Sequence, residues 1–125
     1  MDHAVLVVED DRVLAETTRA LLEWEGYRVR LASNGQEGLA QIRVRRPCIV
    51  LLDLMMPVMS GWDFMGALQA DPAVRDLPVI IVSANAESAP RGATAVLKKP
   101  FEMAHLLEIL EQHCPLTWTD KGRRS

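Results

Sequence analysis

Ile49-Val50-Leu51-Leu52-Asp53-Leu54-Met55-Met56-Pro57 carries four apolar residues straight into a single aspartate, with a proline four positions beyond it. A short continuous apolar run reads as a strand buried on both faces, the mark of a parallel sheet lying under helices. Asp53 then stands where that strand emerges. In open α/β sheets this carboxyl edge is where ligand sites collect.

Similar runs lie on either side. Ala4–Val8 reads as a first strand and ends in Glu9, Asp10 and Asp11. A helix is expected from about 12 to 25, with Val13 and Leu14 recurring as Ala20 and Leu21, a helical stripe. Gly26 is placed to stop it. Residues 27–32 alternate apolar and basic, which suits an edge strand with one wetter face. Asn34 and Glu37 have the spacing of a capping box, with Glu37 expected to reach back to the cap. That box opens a helix with Leu39 and Ile42 turned inward. Arg43, Arg45 and Arg46 load its end and suit the helix dipole as a solvated face. Ser60 can cap a third helix that buries Phe64 and Leu68. Residues 78–82 form a further buried strand ending at Ser83, and 95–97 a last one before Lys98-Lys99-Pro100. A final helix carries Met103, Leu106, Leu107 and Leu110 on one stripe, and Pro115 closes it.

Strands alternating with helices build a parallel sheet with right-handed crossovers. The two less apolar strands, second and fifth, belong at the edges. The expected architecture is a flavodoxin-like, doubly wound α/β fold of five strands in the order 2-1-3-4-5. One domain is expected over residues 1–115, with a flexible C-terminal tail over 116–125.

Composition narrows the function classes. The chain has 125 residues, 49% hydrophobic and 25% charged, as soluble globular domains do. A net charge of −3 argues against direct nucleic-acid binding, and no apolar run is long enough to insert in a membrane. The first residues lack the pattern of an export signal. Cys48 and Cys114 are not spaced as a metal site, so they are expected as reduced thiols in a cytoplasmic protein.

Collecting the strand ends gives Glu9 and Asp10 from the first, Asp53 from the third, Ser83 from the fourth and Lys99 from the fifth. Crowded carboxylates repel, and a divalent cation relieves them. An all-oxygen donor set with no His or Cys suits Mg²⁺. A metal, a hydroxyl and a lysine around a carboxylate nucleophile make a phosphoryl-transfer site.

The segments Val7-Val8-Glu9-Asp10-Asp11, Leu52-Asp53-Leu54-Met55-Met56-Pro57, Ser83-Ala84 and Lys99-Pro100-Phe101 resemble those of receiver domains of bacterial two-component response regulators. The resemblance runs over about residues 4 to 114. It implies a phosphoprotein of signal transduction or a phosphorelay. Asp53 would accept a phosphoryl group from a sensor histidine kinase or a phosphotransfer protein, and the chain would act on an unknown downstream target. It further implies that Asp10 binds Mg²⁺ directly and Glu9 largely through water, with the backbone carbonyl of Met55 as another ligand. Ser83 and Lys99 would contact phosphoryl oxygens, and the Lys99-Pro100 bond would be cis. Such a domain is a signalling phosphoacceptor that catalyses its own phosphotransfer and dephosphorylation rather than an enzyme with a separate substrate.

Two positions depart from the family pattern. Val96 stands where receivers usually carry Tyr or Phe, and a β-branched side chain is stiff and lacks the ring. Only seven residues, 85–91, separate Ala84 from Gly92, and Pro90 interrupts them, so the fourth helix is expected to be short or missing. Both features suit an alternative, a phosphorylation-independent interaction module on the receiver fold.

Overall fold

The computed structural model describes residues 4–56 and 58–116. Five parallel strands, β1 (Ala4–Val8), β2 (Arg28–Ala32), β3 (Ile49–Asp53), β4 (Val79–Ser83) and β5 (Ala95–Lys98), stand in the order β2-β1-β3-β4-β5. The helices are α1 (Arg12–Trp24), α2 (Gly35–Val44), α3 (Gly61–Ala70) and α4 (Met103–His113). Between β4 and β5, where a fourth crossover helix was expected to be short or missing, only a single 3-10 turn forms over Ala86–Ser88.

The period of two along each strand divides the core. Leu6 and Val8 of β1 and Val50 and Leu52 of β3 face α2 and α3, packing with Leu39, Ile42, Phe64 and Leu68. Val5, Val7, Ile49 and Leu51 face α1 and α4, packing with Leu22, Leu106, Ile109 and Leu110. Every residue of β1, β3 and β4 is buried, which is why their sequences are unbroken apolar runs. β2 is the half-exposed edge that its alternation implies.

In α1 the buried row is Ala15, Thr18 and Leu22, while Val13, Ala20 and Leu21 are exposed and Leu14 reaches the cleft at the sheet edge. Two local expectations are corrected. Asn34 caps α2 by accepting from the Glu37 N–H at 2.8 Å, but the Glu37 carboxylate accepts from the Ser33 hydroxyl rather than closing the box. Cys48 and Cys114, expected as free thiols, form a disulfide across a sequence separation of 66. Cys48 enters β3 and Cys114 leaves α4 at the same end of the sheet, a proximity made by the fold and not by local spacing. Of the expected tail, Leu116 packs on the α1–α4 side of the core, and 117–125 lie outside the described residues.

Candidate functional site

The period-two pattern also places the site. Glu9 follows Val5 and Val7 in phase, Asp53 follows Ile49 and Leu51, and Lys99 follows Leu97. All three therefore project beyond the sheet on the α1–α4 side. The Glu9 N–H donates to the Ala32 carbonyl at 3.0 Å, so the β1–β2 ladder runs one residue past the strand and fixes the acid. Asp11 caps α1 by accepting from the Leu14 N–H, and the Glu9 carboxylate accepts from the Asp11 N–H at 3.1 Å. Asp53 ends β3 in register with Val82, and its Oδ1 accepts from the Met55 N–H at 3.2 Å. Lys99 is held by its N–H to the Ser83 carbonyl at 2.9 Å, just before a cis bond to Pro100.

Glu9, Asp10 and Asp53 converge, each offering a carboxylate oxygen within 4.8 Å of the others. Lys99 Nζ lies 3.6 Å from both Glu9 Oε1 and Asp53 Oδ1. Glu9 and Asp53 are buried, whereas Asp10 is exposed. Burial first, then a shared hydrogen bond with Asp53, pushes the Glu9 carboxyl up to about 7. Three carboxylates face one ammonium, and with only oxygen donors in the cluster they are a donor set that could hold a hard divalent cation.

The structure does not draw every predicted residue into this cluster. Ser83 is buried at the end of β4 but in phase with Ile81, toward the α3 side, and its Oγ accepts from the Asn85 N–H at 3.0 Å. Met55 is exposed and meets the site through its N–H bond to Asp53.

Other residues also border the site. Thr18, Leu14 and Phe101 line the cleft beneath Glu9, Asp53 and Lys99. Thr18 could have been found from its three- and four-residue spacing to Ala15 and Leu22. Gly61 caps the loop closely enough that a Cβ there would stand 2.8 Å from Leu54 Cα. Val58 adopts φ 70°, a left-handed conformation that a β-branched residue enters only under strain.

Two side chains of α3 strap down the short segment between β4 and β5. Trp62 Nε1 donates to the Ser88 carbonyl at 2.9 Å, and Gln69 Nε2 donates to the Arg91 carbonyl at 3.0 Å.

Comparison with known proteins gives a consistent identity. Response regulator MprA of Mycolicibacterium vanbaalenii is 36% identical over 128 residues, covering 98% of this chain and 54% of that protein. The DNA-binding response regulator MtrA of Mycobacterium leprae is 34% identical over 113 residues, covering 86% of this chain and 49% of the relative. The chain thus spans about half the length of these curated relatives. Among solved structures, the receiver domain of a sensor histidine kinase from Pseudomonas aeruginosa, with magnesium coordinated in its active-site cleft, superposes at a TM-score of 0.83 with 30% identity. That match covers 93% of this chain and all of that one. The response regulator TrrA of Thermotoga maritima, in complex with Mg²⁺ and BeF, matches at 0.79 with 27% identity, covering 90% and 98%. The family model for the response regulator receiver domain matches residues 5–111, over the whole sheet and the acidic cluster at its edge, and on that match the chain belongs to the response regulator receiver domain family.

Proposed function

We propose that this domain accepts a phosphoryl group on Asp53 and passes the resulting change to a partner. The observation that carries this reading is the convergence of Glu9, Asp10 and Asp53 with the Lys99 ammonium 3.6 Å from Asp53.

In the proposed reaction an Asp53 oxygen attacks phosphorus on a phosphohistidine or a small acyl phosphate. The bond from phosphorus to the leaving group breaks, and an acyl phosphate forms on Asp53. Mg²⁺, held by Glu9, Asp10 and Asp53 with the Met55 carbonyl, would neutralise the transferring oxygens. Lys99 adds a second cation and keeps the Asp53 carboxylate oriented before transfer. Ser83 supplies a hydroxyl to the phosphoryl group by giving up its bond to Asn85. The cleft beneath the site is lined by Val7, Val8, Leu51 and Val82, so the charges act in a medium of lowered dielectric.

The phosphodonor is a sensor histidine kinase or phosphotransfer protein, and that partner places the domain in the cytoplasm. Among the described residues no helix is long and apolar enough to cross a membrane. The net charge of −3 gives this domain no electrostatic footprint for nucleic acid, so DNA binding of the kind in MtrA's name would belong to other segments of such a protein.

Intact mass after incubation with Mg²⁺ and acetyl phosphate tests the reading, with Asp53→Ala as the control. One added phosphoryl group on the parent and none on the variant is expected. No adduct on the parent, even from a phosphorylated kinase, overturns it and leaves the phosphorylation-independent interaction module.

A further inference from the structure

The disulfide lies at the opposite end of the sheet from Asp53. Cys48 leads into β3, and its N–H donates to the Ala4 carbonyl at 2.9 Å, so this end is fixed in the sheet. Cys114 is the residue just beyond α4, held by its N–H to the Leu110 carbonyl. Both belong to the cluster that contains Tyr27, Ile49 and Leu110. Cys48 is 8% exposed and Cys114 only 1%. α4 itself buries Leu106, Ile109 and Leu110, a second set of anchors beside the sulfur–sulfur bond.

We propose that Cys48 and Cys114 are a reversible redox site, a dithiol–disulfide couple that clamps or releases the end of α4. The partner is a thiol reductant of the glutathione or dithiol-protein class. Three features point this way. Disulfides in a cytoplasmic setting, where the proposed function places the domain, are typically transient and redox-sensing rather than structural. The pair lies at one end of the α1–α4 cluster and the α2–α3 cluster contains neither cysteine, so the reduced chain keeps the apolar packing that holds the sheet. The bond closes across a separation of 66 residues, and its loss changes the freedom of one helix end and not the rest of the sheet.

The chemistry balances as thiol exchange. A thiolate of the reductant attacks Sγ of Cys48, the more exposed residue of the pair. The S–S bond breaks, and Cys114 leaves as a thiolate and takes up a proton. A second thiol of the reductant attacks the mixed disulfide and releases Cys48, which is protonated in turn. Two electrons and two protons reach the protein, and the reductant ends as a disulfide. The His113 carbonyl oxygen, 4.0 Å from Cys48 Sγ, is an acceptor for the thiol so formed. Cys48 stays pinned by Ala4, so Cys114 and the end of α4 are the parts that move.

The test equilibrates the full chain in glutathione buffers graded from reducing to oxidising, quenches with acid, alkylates and weighs the intact protein. A reversible two-electron transition within that range is expected, with two alkyl groups on the reduced form and none on the oxidised form. Amide exchange at residues 110–114 and 116 should rise about tenfold on reduction. Cys48→Ser and Cys114→Ser should each abolish the reductant-dependent change in exchange. Acetyl phosphate labelling of Asp53 should be equal in both redox forms, so this result stands or falls apart from the phosphoacceptor reading. A disulfide that resists every ratio, thiols free at every ratio, or oxidation only between two chains overturns the proposal.

Discussion

At the β1 and β3 ends, Glu9 and Asp53 are buried, bonded to backbone N–H groups and faced by a lysine. At the β4 and β5 ends, Ser83 turns away to Asn85, Val96 is 39% exposed, and a single 3-10 turn replaces a helix. The first region is held by the sheet itself. In the second, the strand ends are paired in the sheet through the Lys99 N–H and the Ser83 carbonyl, but the segment between them is tied down by two side chains reaching over from α3. The difference separates a part built to do fixed chemistry from a part whose anchors are few enough to be broken one at a time.

Lys99→Ala should produce the largest change, because the lysine, although it follows β5, faces both carboxylates of the first region. Removing a preorganised charge beside a reacting group, here the proposed phosphoacceptor, typically costs about 10²–10³-fold in rate. The acetyl phosphate labelling rate should fall by that order while thermal stability moves little, because Lys99 is partly exposed and its pairs are 3.6 Å long. Labelling that proceeds at the parent rate would mean the lysine is only a surface cation.

Two glycines compare the regions directly. A Cβ at Gly61 would lie 2.6 Å from Leu54 Cδ1 and 2.8 Å from Leu54 Cα, and the backbone of Leu54 cannot step aside. Gly61→Ala should destabilise by about 2–3 kcal/mol. At Gly92 the φ of +96° strains any side chain, but the atom in the way is Gln69 Nε2, the far end of a flexible side chain. Gly92→Ala should cost about 1–2 kcal/mol, largely from the backbone and the lost strap. Urea denaturation of both variants checks the order. If Gly92→Ala is the worse, the short segment is more rigid than its two straps imply.

Much of the first region was legible in the sequence. Unbroken runs such as Ile49-Val50-Leu51-Leu52 announce buried parallel strands, and the acid or base ending each run falls at the sheet edge by topology alone. α1 was legible as a helix, but its inward face was not, because it carries two candidate rows. The bulkier one, with Val13 and Leu21, is exposed, and the buried one contains the small Ala15 and the polar Thr18. The disulfide and both straps were illegible for a different reason. Each joins residues more than twenty positions apart through single side chains, at separations of 66, 26 and 22, and leaves no periodic trace. The missing helix was legible as a shortage of residues before Gly92, but what replaces it was not.

Glu9 gives a smaller, graded effect. Its carboxyl is pushed up to about 7 in the metal-free fold by burial and by Asp53. Between about pH 4.5 and 7 the folded state therefore binds more protons than the unfolded state, and the stability of metal-free protein should fall as pH rises through that window. Below it the carboxyl is protonated in both states and nothing is lost. Mg²⁺ must displace the same proton, so its affinity should drop about tenfold from pH 8 to pH 6. Titration of Mg²⁺ by calorimetry at the two pH values checks this. Equal affinities would mean that Glu9 already binds no proton at pH 6.

Trp62 is where the two regions meet, and its effect should be the smallest in energy. It follows Gly61 at the start of α3 and holds the Ser88 carbonyl. Ser88 in turn bonds through its N–H and hydroxyl to the Asn85 carbonyl, and Asn85 bonds to Ser83 Oγ. A hydroxyl drawn toward a phosphoryl group on Asp53 must release Asn85, so the turn and the indole above it feel the change without help from an aromatic at Val96. Trp62→Phe removes one hydrogen bond to a partly solvated carbonyl and should cost about 1 kcal/mol. The same substitution should erase the change in tryptophan emission on adding Mg²⁺ and fluoroberyllate. Trp24→Phe, on the far exposed face of α1, should leave that change intact. Emission that responds equally in both variants would break the proposed route from Ser83 to Trp62 and leave β5 as the carrier of the signal.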